Sequence, residues 1–292
     1  MVRPIEGQGT AEAEWLAWDA MAEWPELKLD APGPPLVVAP HPDDEILGVA
    51  GLMTRLGAAD LVAVTDGEAS HPDSTVFTRA ELAAIRRAET AEALRRLGLT
   101  ATSEAPAASE APATSEAPGG PEAPGGPQAP GGPGGPGGLG GSGVGQAPGR
   151  ERRALVHRLG QADGGIDEEA VTAELTRLLA PGRWCVATWR EDGHPDHEAV
   201  GRAAARACAA TGARLLEYPV WMWHWATPGD PRVPWQTAHR IPLMAADQAA
   251  KAAAIAAFPS QIAPLGPAGA DAAILPPHIL ARFARTFEVV FS

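Results

Sequence analysis

Apolar residues fall along this chain in short continuous runs, separated by stretches with helical spacing. The runs at 35–39 (PLVVA), 60–65 (DLVAVT), 154–159, 184–189 (WCVATW) and 214–218 predict buried strands. Between them, 46–56, 78–97, 167–179 and 197–210 read as helices. In the second of these, Leu82, Ile85, Ala88, Ala91 and Leu94 face one way with Arg and Glu opposite, and Thr78 with Glu81 forms a capping box. The acidic first turn of 167–179 suits the positive end of a helix dipole. Alternating strands and helices predict an α/β, Rossmann-like fold: one domain, a mostly parallel sheet and helices on both faces. Two further stretches are patterned. Residues 12–24 place Trp15, Trp18 and Met21 at helical spacing, as an amphipathic helix against the sheet. Residues 218–235 alternate Trp221, Trp223 and Trp225 as one face of a strand, which is either core or an aromatic surface suited to a sugar ring or an acyl chain.

Composition interrupts the alternation once. Over 101–150, 25 of 50 residues are Gly or Pro, and SEAP recurs at 103–106, 109–112 and 115–118. Such a segment buries too little apolar surface to offset the entropy of ordering it, so it reads as a disordered insert. Loop-closure entropy grows only logarithmically, so its length costs little. The domain is therefore expected in two parts, 1–100 and 151–292. The chain carries 23 basic and 36 acidic residues, a formal charge of −13, which argues against a nucleic-acid-binding surface. Cys185 and Cys208 form no CxxC pair and cannot build a disulfide framework. No apolar run is long enough to span a membrane, and residues 1–15 lack the apolar core of a signal peptide, so a cytoplasmic location is expected.

The chemistry concentrates where two predicted strands meet the following helices. One segment is His41-Pro42-Asp43-Asp44-Glu45; the other is Gly193-His194-Pro195-Asp196-His197. Both belong at the same edge of a parallel sheet although some 150 residues separate them. Together they offer imidazoles and carboxylates, the donor mixture of an open catalytic Zn²⁺ site. His41 and Asp44 can reach one ion from a strand-to-helix turn, and His197 completes a set of three. A lone HPD would be explained by an N-cap with proline in the first turn. A third copy, His71-Pro72-Asp73, reads as a loop, with His71 a candidate at the pocket border.

HPDDE after a strand, then TDGE (65–68), Arg86-x-x-Glu89 and GHPDH, resembles the PIG-L/LmbE-like deacetylases. The resemblance runs over about 35–98 and 154–292. It implies a zinc enzyme that hydrolyses N-acetyl groups from glucosamine-containing molecules. By that resemblance His41, Asp44 and His197 are the metal ligands and Asp43 the general base. His194 stabilises the oxyanion or protonates the amine, and Asp196 orients a histidine. Fe²⁺ or another divalent ion would suit the same ligands. Glu45 is explained by the helix N-terminus, and Arg86 with Glu89 by a structural pair on the helix. The tryptophan-rich segment is further similar to family members that act on glycosylated natural products, such as lipoglycopeptide antibiotics. Mycothiol-pathway members are the competing comparison.

The expected partner is thus a small-molecule or glycoconjugate substrate carrying N-acetylglucosamine. Two alternatives stand beside this reading. One is a zinc amidase acting on a larger amide; the other is a non-catalytic sugar- or partner-binding module on the same fold. Oligomeric state is not encoded in these patterns.

Overall fold

In the computed structural model, residues 7–103 and 152–292 are described. They fold around one eight-stranded sheet with order β3-β4-β2-β1-β5-β6-β8-β7. The strands are β1 (Leu36–Ala39), β2 (Ala58–Thr65), β3 (Thr100–Ser103), β4 (Arg153–Gln161), β5 (Trp184–Thr188), β6 (Arg214–Tyr218), β7 (Ala238–Pro242) and β8 (Phe287–Phe291). The first six run parallel, while β8 is antiparallel to both β6 and β7. The sheet is therefore mostly parallel, as the alternation predicts, with an antiparallel edge. Strand β3 takes in residues 101–103, so the folded part extends slightly past the boundary that composition set. The rest of the Pro/Gly-rich segment, from 104 to 150, lies outside the described residues.

The helices are α1 (Glu12–Leu16), α2 (Ala20–Glu23), α3 (Asp44–Leu56), α4 (Arg79–Arg96), α5 (Glu168–Leu178), α6 (Pro195–Thr211), α7 (Met222–Trp225), α8 (Ala245–Ile255), α9 (Pro259–Ile262) and α10 (Pro277–Leu280). None is long and apolar enough to cross a membrane. Thr78 caps α4 through the expected box with Glu81, and Asp167 caps α5. Alternate residues of the central strands enter opposite cores. Val37, Leu61 and Val186 pack with α3, α4 and α8, whereas Val38, Val62 and Ala187 pack with α5 and α6. Burial on both faces is why these strands read as continuous apolar runs.

The predicted helix over 12–24 is instead two short helices. Trp15 is fully buried, its Nε1 donates to the carbonyl of Trp223 at 3.0 Å, and Trp24 stacks on Trp235 with centroids 5.5 Å apart. The stretch around Trp223 is not an alternating strand. It turns through α7, which puts Trp223 into this aromatic core.

Helix α3 is broken at Val49 (φ −142°, ψ 23°). The two carboxylate oxygens of Glu288, on β8, accept the N–H groups of Gly51 and Leu52 at 2.8 and 3.0 Å. Lys251 of α8, one of only two lysines in the chain, donates to Glu288 at 2.8 Å. A Cβ on Gly48 would lie 2.2 Å from the Tyr218 ring. Gly48→Ala is therefore expected to lower stability by about 1–3 kcal/mol through overpacking, read as a reduced urea midpoint. An unchanged midpoint would show that this contact yields freely.

Candidate active site

The chain winds outward from β1 in both directions along the sheet, so the carboxyl ends of β1 and β5 border the point where strand order reverses. That crevice is where open α/β sheets bind ligands. The turn after β1 carries His41, Asp43 and Asp44; the loop after β5 carries Asp192, His194, Asp196 and His197. Asp44 opens α3, and His194 is the N-cap of α6, with Pro195 in its first turn. The two segments that stood apart in sequence meet here.

Oδ2 of Asp44 lies 3.3 Å from Nδ1 of His41 and 3.2 Å from Nε2 of His197. Ligands about 2.1 Å from a tetrahedral ion stand about 3.4 Å apart, so these donors are spaced to share one. Nε2 of His197 is buried and makes no well-directed hydrogen bond, even to the Asp44 carboxylate beside it, as suits an atom that could ligate. Ligand atoms of His41, His194 and His197 converge within 4.8 Å, as do those of His41, Asp163 and Asp196. The residues fit a divalent cation.

Each imidazole is fixed from behind. Nδ1 of His197 meets Asp192 Oδ2 at 2.8 Å, and Nε2 of His41 meets Asp196 at 3.1 Å and Asp163 at 3.2 Å. Such partners set the tautomer and raise ligand basicity. Asp192, fully buried, also accepts the N–H groups of Val220, Trp221 and Met222, each at 2.9 Å. Asp192→Ala should accordingly weaken metal affinity by about 10–100-fold, measured by competition with a chromogenic chelator. An unaltered affinity would remove Asp192 from the site.

Asp43 is the only non-glycine residue with positive φ (124°) among the described residues. Strain of that kind concentrates at functional positions. Nη2 of Arg86 holds its Oδ2 at 3.0 Å while also donating to Pro42, and Nη1 donates to Gly67. Arg86 and Glu89 thus serve separate partners, since Glu89 accepts from Ser260. Burial raises the Asp43 carboxyl to about 7 although Arg86 opposes it. Burial likewise raises Glu45 to about 8. Burial opposes protonation of His197, yet Asp44 and Asp192 outweigh it and lift it to about 9. His41 is raised in the same way by Asp163, Asp196 and Asp44. Asp44 falls well below the usual carboxylate range because the two imidazoles overcome its burial. His194 drops to about 3, through burial and the neighbouring His197 and His41. Protons and a cation compete for the same lone pairs at such a cluster.

A cavity of about 190 Å³ opens on this cluster. His41, Asp43, Asp44, Arg86, Asp163 and His194 line its chemical side, with Leu47, Val220, Trp221, Ile274 and Leu275 as apolar walls. Of the three tryptophans expected to form a platform, only Trp221 is among the lining residues. Trp223 is core, and Nε1 of Trp225 donates to the Asp192 carbonyl at 2.6 Å. Gly193 (φ 97°) has no room for a side chain beside that indole, since a Cβ would sit 2.6 Å from Nε1. His71 is also outside the lining. It is buried, with Nε2 against the Ala272 carbonyl, and its neighbour Ser70 takes the border position. Asp163, Asp192 and Arg86 are the site residues that sequence reading missed. Asp192 had a signal, an acid one residue before the GHPDH motif, and Arg86 stands in the Arg86-x-x-Glu89 motif, which reads as a pair on the helix; Asp163 is brought in only by the tertiary fold.

An imidazole–carboxylate cluster at a strand-order reversal, with a strained buried acid beside it, suits metal-assisted hydrolysis. The family model PIG-L, described as GlcNAc-PI de-N-acetylase, matches residues 36–208. The chain belongs to this family of de-N-acetylase-type hydrolases. No curated protein matches it in sequence. Among solved structures it is similar to N,N'-diacetylchitobiose deacetylase from Pyrococcus horikoshii, at 19% identity and TM-score 0.49, covering 84% of this chain and 77% of that one. A conserved protein from Thermus thermophilus is similar at 23% identity and TM-score 0.43, covering 78% and 79%. A deacetylase triple mutant of teicoplanin biosynthesis is similar at 15% identity and TM-score 0.47, covering 77% and 81%.

Proposed function

We propose that the chain is a zinc-dependent N-deacetylase. It removes the acetyl group from a GlcNAc-type sugar whose aglycone, a natural product or other glycoconjugate, lies outside the cavity. The observation that carries this reading is the Asp44 carboxylate standing 3.3 Å from His41 Nδ1 and 3.2 Å from His197 Nε2, with Asp43 held beside them by Arg86. His41, Asp44 and His197 would hold a divalent ion, which would supply a bound water of pKa about 7 and polarisation of the acyl carbonyl. Fe²⁺ would serve the same donors.

Asp43 takes the proton of the attacking water, a role that its buried carboxyl beside the donor set is placed to fill. Arg86 fixes which of its oxygens is turned inward. His194 is neutral at that pH, and its Nδ1 accepts the N–H of Asp196 at 3.2 Å. The ring proton therefore sits on Nε2, which donates to the carbonyl oxygen as negative charge develops. Asp43, now protonated, returns its proton to the departing amine. A volume of about 190 Å³ is below the roughly 300–1,000 Å³ typical for drug-sized ligands. It suits one ring with a short acyl group better than a long acyl chain.

The test pairs metal content of the purified protein with amine release from N-acetylglucosaminyl compounds of increasing aglycone size. Zinc near one per chain with released acetate is the expected result. Absence of both metal and turnover, even after zinc is added back, would overturn the proposal.

A further inference from the structure

One wall of the cavity is used neither by the proposed metal ligands nor by Asp43. It is formed by Ser70, after β2, and Gln261 of α9, the latter outside the stretch that matches the family. Hydrogen-bond direction along this wall follows by elimination. A carbonyl oxygen only accepts, so His71 donates from Nε2 to Ala272 at 3.1 Å. Burial holds His71 below its ordinary pKa, and in the neutral ring Nδ1 is then an acceptor. The hydroxyl proton of Ser70 therefore goes to that Nδ1, 3.1 Å away. At the other end, Ser260 Oγ donates to the Glu89 carboxylate at 2.7 Å. Having given up its proton, Ser260 Oγ accepts Nε2 of Gln261 at 2.9 Å, which also fixes which end of the amide is nitrogen. The other Nε2 hydrogen points to Ser70 Oγ at 3.4 Å.

Every side-chain donor in this relay is committed inside the protein. What is left over is acceptor capacity: the second lone pair of Ser70 Oγ, and Oε1 of Gln261, which accepts no hydrogen bond among the described residues. Gln261 is 1% exposed, so solvent barely reaches its amide, and the cavity is where a partner can stand. An acceptor that loses its water to a bound ligand without gaining a donor is costly, which gives the wall selectivity. It favours groups that bring a hydrogen and disfavours carboxylates and phosphates, which bring only lone pairs. A sugar ring offers O–H groups on its edge and C–H faces for the apolar walls.

We infer that Ser70 and Gln261 form an acceptor-only subsite that reads a ring hydroxyl of the substrate sugar, away from the reacting amide. The inference rests on the N-acyl sugar reading above. Glucosamine, which has no amide to cleave, is titrated calorimetrically into the metal-loaded full chain, alongside its 3-, 4- and 6-deoxy analogues. The parent should bind one deoxy analogue about tenfold more weakly than glucosamine, the value of a single hydrogen bond of this kind. Gln261→Leu should weaken glucosamine about tenfold and abolish that discrimination, with Ser70→Ala acting in the same direction. If Gln261→Leu does not fold, Ser70→Ala decides alone. The subsite is overturned if the variants keep the parent's affinity and ranking, if the parent binds all four sugars alike, or if it does not bind glucosamine. Amine release by the parent is measured separately. Release without discrimination overturns only the subsite; discrimination without release overturns only the deacetylase reading.

Discussion

Asp43→Ala should retain about one metal per chain and lose about 10²–10⁴-fold in kcat, the usual contribution of a positioned general base. The carboxylate lies outside the proposed ligand set, held instead by Arg86 at 3.0 Å. Its removal takes away the proton acceptor while leaving His41, Asp44 and His197 in place. Asp43→Asn, which keeps the shape, should be impaired to a similar degree. The backbone adds a second readout. A φ of 124° is a conformation that only glycine adopts without strain, and such strain costs of the order of 1–3 kcal/mol. Asp43→Gly should therefore melt at a higher temperature than Asp43→Ala while being equally inactive. Steady-state amine release and elemental analysis check the first part, thermal denaturation the second. Turnover within twofold of the parent in Asp43→Ala would sink the assignment of the base.

His197→Ala should lose metal and turnover together, the largest effect expected in this protein. Its imidazole is completely buried between Asp44 and Asp192. Removal deletes a donor and takes from two buried carboxylates their shared imidazole, although Asp192 keeps three backbone N–H groups and Asp44 keeps His41; breaking a buried pair costs about 3–5 kcal/mol where nothing replaces it. Circular dichroism must accompany the assay so that loss of fold is not read as loss of a ligand. His41→Ala, at a partly exposed position, is the companion variant. Chelation should silence the parent and zinc should restore it, whereas zinc should not restore either variant. A variant that keeps stoichiometric metal would remove that histidine from the ligand set.

The parts of this molecule that were legible from sequence are those whose signals are local. Buried parallel strands read as apolar runs because both faces are covered, as for Leu36–Ala39. The proposed ligands were legible because they sit within a few residues of strand ends, where topology brings distant segments together. Three tryptophans at every second residue mimicked a strand. In the fold, the N–H groups of Val220, Trp221 and Met222 all converge on Asp192, an arrangement no strand permits. Strands β7 and β8 lie at the antiparallel edge, where mixed stretches such as Ala238–Pro242 carry no clean period. Asp163 and Gln261 each sit in an ordinary-looking sequence context, Arg86 stands in a motif that reads as a pair on one helix, and only the tertiary fold turns them into one cavity.

The break in α3 bears on the order in which the site can be built. This helix starts with a proposed ligand, Asp44, and the N–H groups past its break are satisfied by Glu288, 237 residues downstream of Gly51. During synthesis the HPDDE segment leaves the ribosome long before its carboxylate cap exists. Until β8 docks, Gly51 and Leu52 must hold their hydrogen bonds with water, and His197 has also to arrive from α6. Pairing across such separations is slow, because loop closure precedes the contacts that reward it. Under the proposed ligand set, metal loading would thus be coupled to completion of the sheet, and a nascent chain stalled before β8 would carry the motif without a durable site.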